Sequence, residues 1–194
     1  MKLILASQSP RREQILSRLN IPFRVIVSDV DEPVHTSDQS PKNYAQELAS
    51  IKSENISKKY TDYLVVGADT IVILNDKVMG KPHDRKDAIH TLKLLSGNTH
   101  QVITAVSIQC TKKNINHTFC EQTAVSFRQI PLAYISTYVD SESPYDKAGS
   151  YGIQDWSAIF VEKINGCYDN VVGFPISRFV IELEKIGINF NEIS

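Results

Sequence analysis

Short apolar runs alternate with amphipathic segments along this chain, and turn residues punctuate them. Leu3, Ile4, Leu5 and Ala6 read as a buried strand, and Ser9 followed by Pro10 reads as an N-cap with proline at the first helical position. The helix from about Pro10 buries Ile15, Leu16 and Leu19 at helical spacing. Asn20 and Pro22 mark a turn, FRVIVSDV (23–30) alternates like a strand, and SDVDEPVHTSDQS (28–40) has loop chemistry. Ser40 and Pro41 repeat the helix-start signal; Tyr44, Leu48, Ile51 and Ile56 then form an apolar stripe, with Lys52 at its edge as a surface lysine. In residues 64–82, LVVGADTIVILNDKVMGKP, an apolar run reaches Gly67, Asp69 interrupts it, a second run follows Thr70, and Asn75–Asp76 signals a hairpin.

Asp84 caps a further helix with Ala88, Ile89, Leu92 and Leu95 inward, ended by Gly97. HQVITAVSIQC and INHTFCEQTAVSF read as long strands around TKKN, and PLAYISTYV as a short amphipathic helix. SPYDKAGSYGIQD (143–155) reads as a binding loop, AIFVEKI as a last strand and PISRFVIELEKIGI as a closing helix. No repeat, low-complexity tract or linker divides the chain, which is expected to form a single domain over 1–194.

Composition narrows the function. The chain has 194 residues, 42% of them hydrophobic, enough for a sizeable core or for two lobes. Its formal charge of −1 argues against a general nucleic-acid or membrane-surface binder, so any basic site must be local. Cys110, Cys120 and Cys167 form no CxxC pair and read as reduced thiols in or near the core; the five histidines lack metal-ligand spacing. The N-terminus lacks signal-peptide character and no apolar run approaches membrane-spanning length, so a cytoplasmic protein is expected. Neither GxxxxGK[ST] nor GxGxxG occurs.

Three stretches carry candidate chemistry. Arg11 and Arg12 fall in the first turn of the first helix, where the positive end of the macrodipole disfavours cations. That placement suits an anion gripped by backbone N–H groups, the Ser7 and Ser9 hydroxyls and two guanidinium forks; the plain alternative is two arginines reaching into solvent. Asp69, a lone carboxylate between two buried strand segments, is costly unless paired or metal-bound, which makes it the leading catalytic candidate. The hairpin brings the chain back to Lys81, expected near Asp69. The acidic loop offers Asp29, Asp31 and Glu32 as metal ligands or as an ordinary solvated surface, and Asp146, Lys147 and Gln154 can reach a ligand from the 143–155 loop.

Taken together, LASQSPRR, GADT (67–70), GKP (80–82), LSGNTHQVITAV (95–106), DKAGSYGIQ (146–154) and NVVGFP (170–175) resemble the Maf family of nucleoside triphosphate pyrophosphatases, relatives of the inosine triphosphate pyrophosphatase fold. The resemblance covers nearly the whole chain. It implies hydrolysis between the α- and β-phosphates of a nucleoside triphosphate with a divalent cation, Mg²⁺ or Mn²⁺, in a homodimer. The aspartate matching Asp69 is the family's general base, and the identities at Arg12, Thr70 and Gln154 resemble the subgroup acting on dTTP and UTP. Three positions depart from the family's usual pattern: Asn98 where arginine is frequent, Asp155 after Gln154 where glycine is common, and Phe174 for leucine.

The expected architecture is therefore α/β, a mixed twisted sheet flanked by helices, in two lobes around a central cleft. In the expected mechanism Glu32 and Asp69 hold the cation and Asp69 acts on the attacking water. Arg11, Arg12, Lys52 and Lys81 neutralise phosphate charge, each unit pair about 4 Å apart contributing roughly 4 kcal/mol at an effective dielectric near 20. Direct metal ligation and proton acceptance are separate roles for Asp69, and its position in the sequence is compatible with either. Thr70 and Gln154 can hydrogen-bond a pyrimidine edge. The competing expectation is a nucleotide-binding regulator tied to cell division, with little turnover; an activated water would serve no purpose there.

Overall fold

The computed structural model describes residues 1–36, 38–141 and 144–193. Ser37, in the acidic loop, and Ser143, at the start of the expected binding loop, lie outside the described residues. Strand β1 (Leu3–Ala6) is fully buried and leads into α1 (Pro10–Ser17), as the sequence predicts. Ser9 does occupy the N-cap position, but its hydroxyl makes no capping bond; its backbone N–H instead donates to Ser7 Oγ at 3.1 Å. Leu19 falls beyond the end of the helix and is half-buried. The next strand is much shorter than the alternating pattern suggests: β2 covers only Phe23–Val25 and pairs in parallel with β1. β1 ends at Ala6, so the residues after Ile26 have no ladder to extend, and Val27 is left exposed.

Helix α2 (Pro41–Ser57) starts as its sequence requires, with Ser40 Oγ accepting the Asn43 N–H at 3.2 Å and Pro41 inside the first turn. Strand β3 (Leu64–Leu74) runs without a break through Asp69 and turns at Asn75 and Asp76, both at positive φ, into β4 (Lys77–Met79). Helix α3 (Arg85–Leu95), strands β5 (Thr99–Cys110) and β6 (Ile115–Phe127), and helix α4 (Leu132–Ser141) follow the sequence pattern. The last strand, β7 (Val161–Asn165), loses its expected first residues to a 3-10 turn over Trp156–Phe160, capped where Asp155 accepts the Ser157 N–H. Helix α5 (Tyr168–Val172), which no pattern announced, precedes α6 (Ile176–Lys185).

Among the described residues the strands form one seven-stranded sheet in the order β2-β1-β3-β5-β6-β7, with β4 on β3. It is mixed: β1 lies parallel to β2 and β3, while β3–β4 and β6–β7 are antiparallel. The chain divides into two compact units. The first holds residues 1–69, 104–121 and 173–194, and the second holds 70–103 and 122–172. The chain therefore passes from one to the other four times, three of them inside β3, β5 and β6. The first unit packs Ile4, Ala6, Ile56 and Val65 together; the second has a larger core that includes Leu92, Phe127, Tyr138, Tyr151 and Phe160.

Candidate active site

The site in the first unit is built by α2 lying against β3. Gly67 leaves no room for a side chain there: a Cβ would stand 2.5 Å from the Ala49 carbonyl oxygen and 2.8 Å from the Ser53 nitrogen. Val65, Gly67 and Asp69 share one face of the strand, because side chains alternate. Two strand residues rise about 6.6 Å and one helical turn about 5.4 Å, so a helix running back from Ile56 beside Val65 brings its next turn, at Lys52 and Ser53, opposite Gly67, and the long Lys52 side chain covers the remaining step to Asp69. A seam of hydroxyls fixes α2 against β5: Ser53 Oγ donates to Ser107 Oγ at 2.9 Å, and Ser57 Oγ donates to Gln109 Oε1 at 3.2 Å. Thr111 Oγ1 adds a bond to the Ser57 carbonyl at 3.1 Å.

The consequence corrects the reading of Lys52 as a surface lysine. Its side chain is 12% exposed, and its Nζ lies 2.6 Å from Asp69 Oδ1 and 2.9 Å from Glu32 Oε1. Asp69 is equally enclosed at 12%, whereas Glu32 is 47% exposed, so water screens the Glu32 contact more than the Asp69 contact. Sequence patterning could not see this burial, because it depends on the close approach at Gly67.

Arg12 adds to the same centre. Its Nε donates to the Gly173 carbonyl at 3.0 Å and its Nη1 to Ser7 Oγ at 3.4 Å, so the first and sixth resemblance segments meet here. Burial lowers the guanidinium's pKa; Asp69 and Glu32 act against that shift, while Arg11 adds to it. Tyr44, assigned from sequence only to the apolar stripe, is a further member. Its Oη donates to the Pro33 carbonyl at 3.1 Å, next to Glu32, and its ring meets His35 edge-on. Burial raises the phenol's pKa, and the negative charges of Asp69 and Glu32 raise it further. The i, i+4 spacing of Tyr44, Leu48 and Lys52 was the available signal that the tyrosine and the lysine share a helix face.

Ser9, Asp29 and Asp31 lie in the first unit, whereas Thr70, Lys81, Asp146, Lys147 and Gln154 belong to the second. Thr70 is half-buried on β3, Lys81 is exposed just after β4, and Gln154 is exposed in its loop. The Gly149 N–H donates to the Gly80 carbonyl at 3.1 Å, which joins the DKAGSYGIQ segment to GKP. Tyr151 anchors the loop: its Oη lies 2.8 Å from His100 Nε2 and its ring packs edge-on to Phe127. Gly152 and Ser157 exchange bonds around Gln154, with the Gly152 N–H donating to Ser157 Oγ at 3.0 Å and Ser157 Oγ donating to the Gly152 carbonyl at 2.9 Å. Asp155, the unusual acid beside Gln154, caps the following turn and lies 3.5 Å from Lys147 Nζ. Asn98 donates from Nδ2 to the Leu94 carbonyl at 2.9 Å, closing the end of α3, and Phe174 is buried against Phe179.

No group of three or more His, Cys, Asp or Glu side chains suited to a metal occurs among the described residues. Glu32 and Asp69 converging on one cationic nitrogen are instead a two-carboxylate donor set. Such a pair suits a hard, oxygen-seeking cation that takes its other ligands from water and phosphate.

An α/β sheet bearing a carboxylate–ammonium–carboxylate centre, with arginines at a neighbouring helix start, presents a concentration of charge suited to a polyanion. The model of the family described as Maf-like protein matches residues 2–186, and the chain belongs to that family. The dTTP/UTP pyrophosphatase of Bacillus cereus (strain ATCC 14579) is 44% identical over 188 residues, 97% of each chain. That of Bacillus thuringiensis subsp. konkukian is 45% identical over the same share. The solved structure of the Staphylococcus aureus Ham1 protein is 16% identical, covering 66% of this chain and 72% of that one, with a TM-score of 0.48.

Proposed function

We propose that this protein hydrolyses nucleoside triphosphates, dTTP and UTP foremost, to the monophosphate and pyrophosphate. The observation that carries the reading is Asp69, a carboxylate enclosed on a central strand and held by Lys52 beside Arg12 and Glu32. Membership of the family and the names of relatives at 44–45% identity support the reaction class and the pyrimidine substrates.

Glu32 and Asp69 would hold a divalent cation, Mg²⁺ or Mn²⁺, and that cation supplies charge neutralisation at the phosphates. Asp69 orients the attacking water and accepts its proton as the α–β anhydride opens. Lys52, Lys81, Arg11 and Arg12 take up the negative charge that grows on departing pyrophosphate, and Ser7 and Ser9 add hydrogen bonds to the phosphates. Thr70 and Gln154 read the polar edge of the pyrimidine, the amide offering both donor and acceptor. Asp155 is already engaged by Ser157 and Lys147, which leaves the base-reading role to Gln154. The chain works as one Maf-type domain, in a homodimer in the cytoplasm; no helix among the described residues is long and apolar enough to cross a membrane.

The test is pyrophosphate release from a panel of canonical and modified nucleoside triphosphates with Mg²⁺ or Mn²⁺. Metal-dependent release favouring dTTP and UTP supports the reading; no release from any nucleotide, with binding intact, overturns it.

A further inference from the structure

Lys52 occupies the place of a cation. Its ammonium touches both carboxylates of the proposed cation site, at 2.6 and 2.9 Å, from a helix whose backbone is pinned by the tight approach at Gly67 and by the Ser53–Ser107 bond. We infer that Lys52 is an internal placeholder: its ammonium keeps Glu32 and Asp69 together in the free protein and must leave them before a divalent cation can take their oxygens. The inference rests on the reading proposed above and adds to it a coupling between cation and nucleotide binding.

The physical argument is one of charge. Two carboxylates brought together repel each other, and the ammonium relieves that repulsion while filling the space between them. An incoming cation gains the carboxylates only by displacing a charge that already satisfies them. The displaced ammonium sits on a side chain only 12% exposed, and leaving it there without an anion is costly. A nucleotide's phosphates remove that cost by taking over the ammonium. The free protein therefore binds the cation weakly, and cation and nucleotide enter together. With α2 fixed, the exchange needs only rotation of the flexible Lys52 side chain.

The experiment measures Mn²⁺ binding to the full chain without nucleotide, read as loss of the free-ion electron paramagnetic resonance signal. Lys52→Met should bind Mn²⁺ about tenfold more tightly than wild type, or better, because the competing charge is gone; Lys52→Arg, which keeps it, should stay weak. Equal affinities for wild type and Lys52→Met overturn the inference. A second arm uses the wild type alone, so that it does not depend on how the variants fold. With chelation of Mn²⁺ by the analogue subtracted through a protein-free control, imidodiphosphate, a non-hydrolysable pyrophosphate analogue, should raise the protein's Mn²⁺ affinity by a similar factor, and no increase beyond that control would count against the placeholder. Pyrophosphate release is measured separately. If the wild type hydrolyses dTTP while Mn²⁺ affinity ignores Lys52, the inference fails and the enzyme reading stands. If nothing is hydrolysed, the enzyme reading fails by itself.

Discussion

The two units solve the problem of a stable interior with different materials. In the first, ionised groups are taken inside: Asp69 pairs with Lys52, and Glu182, its side chain 4% exposed, meets His117 Nε2 at 2.7 Å, Lys185 Nζ at 2.8 Å and Arg178 Nε at 2.8 Å. In the second, the centre is aromatic. Phe127, Tyr138, Tyr151, Trp156 and Phe160 meet edge-on or stacked, and burial favours the neutral form of the His100 imidazole among them. The contrast teaches where chemistry is kept. A buried charge is tolerated where a partner is built for it, and the first unit supplies partners by helix placement, while the second supplies area and rigidity.

Replacing Asp69 with Asn tests the ionic side most severely. Turnover should fall on the order of a thousandfold, the scale of a lost general base, with the fold retained. Steady-state pyrophosphate release together with thermal unfolding decides this, and undiminished turnover removes Asp69 from the mechanism. On the aromatic side, Phe160→Ala should cost about 3–5 kcal/mol in denaturant unfolding, because a fully buried ring with three aromatic neighbours is deleted.

Acid should reach the units in sequence. Burial lowers the His100 pKa from 6.5 to about 4, so the unfolded chain takes up a proton near pH 6.5 while the folded chain resists it. The second unit's contribution is full above pH 6.5, declines by about 3 kcal/mol as pH falls toward 4, and levels off below that. Unfolding titrations of wild type and His100→Asn should differ in slope across this window; parallel curves would show that His100 is not the group responsible. Glu182 has the opposite kind of shift. Despite the upward push of burial, its bonds from Lys185 and His117 and the charge of Arg178 hold its pKa below 4.5. Its stabilisation is present above that value and is lost only as pH falls further.

Glu182→Gln should accordingly cost less than Phe160→Ala, about 1–3 kcal/mol at neutral pH. Its three partners are 30–53% exposed and can return to water when the charge is removed. An effect as large as that of Phe160→Ala would mean that the partners are less free than their exposure indicates. The smallest effect is expected of Asp155→Asn, about 1 kcal/mol as a weakened cap, with the dTTP-to-UTP preference unchanged. A changed preference would give Asp155 a role in base reading.

Much of this contrast was legible along the chain. Asp69 stood out because a carboxylate in an apolar run demands a partner, and Pro10, Ser40, Asp84 and Asn75–Asp76 placed three helix starts and a hairpin through local chemistry alone. What escaped depended on distant residues. Ile26 to Val30 look like strand, but β2 stops where its neighbour β1 stops. Ala158 to Phe160 look like strand too, but Asp155 caps them into a 3-10 turn. Lys52 reads as surface because the periodicity of its own helix does not show that Gly67, on a separate strand, draws that helix inward. Tyr44 was hidden for the same reason, as its link to Glu32 runs through the loop carbonyl of Pro33.

The fourfold passage of the chain between the units bears on inheritance. A recombination event that exchanged one unit for a homologous one would have to join correctly at 69/70, 103/104, 121/122 and 172/173. Three of those junctions fall within strands, so a single crossover in the gene would splice unlike halves together in the middle of a hydrogen-bonded ladder. Exchange of a whole unit by a single crossover is thus closed to this architecture.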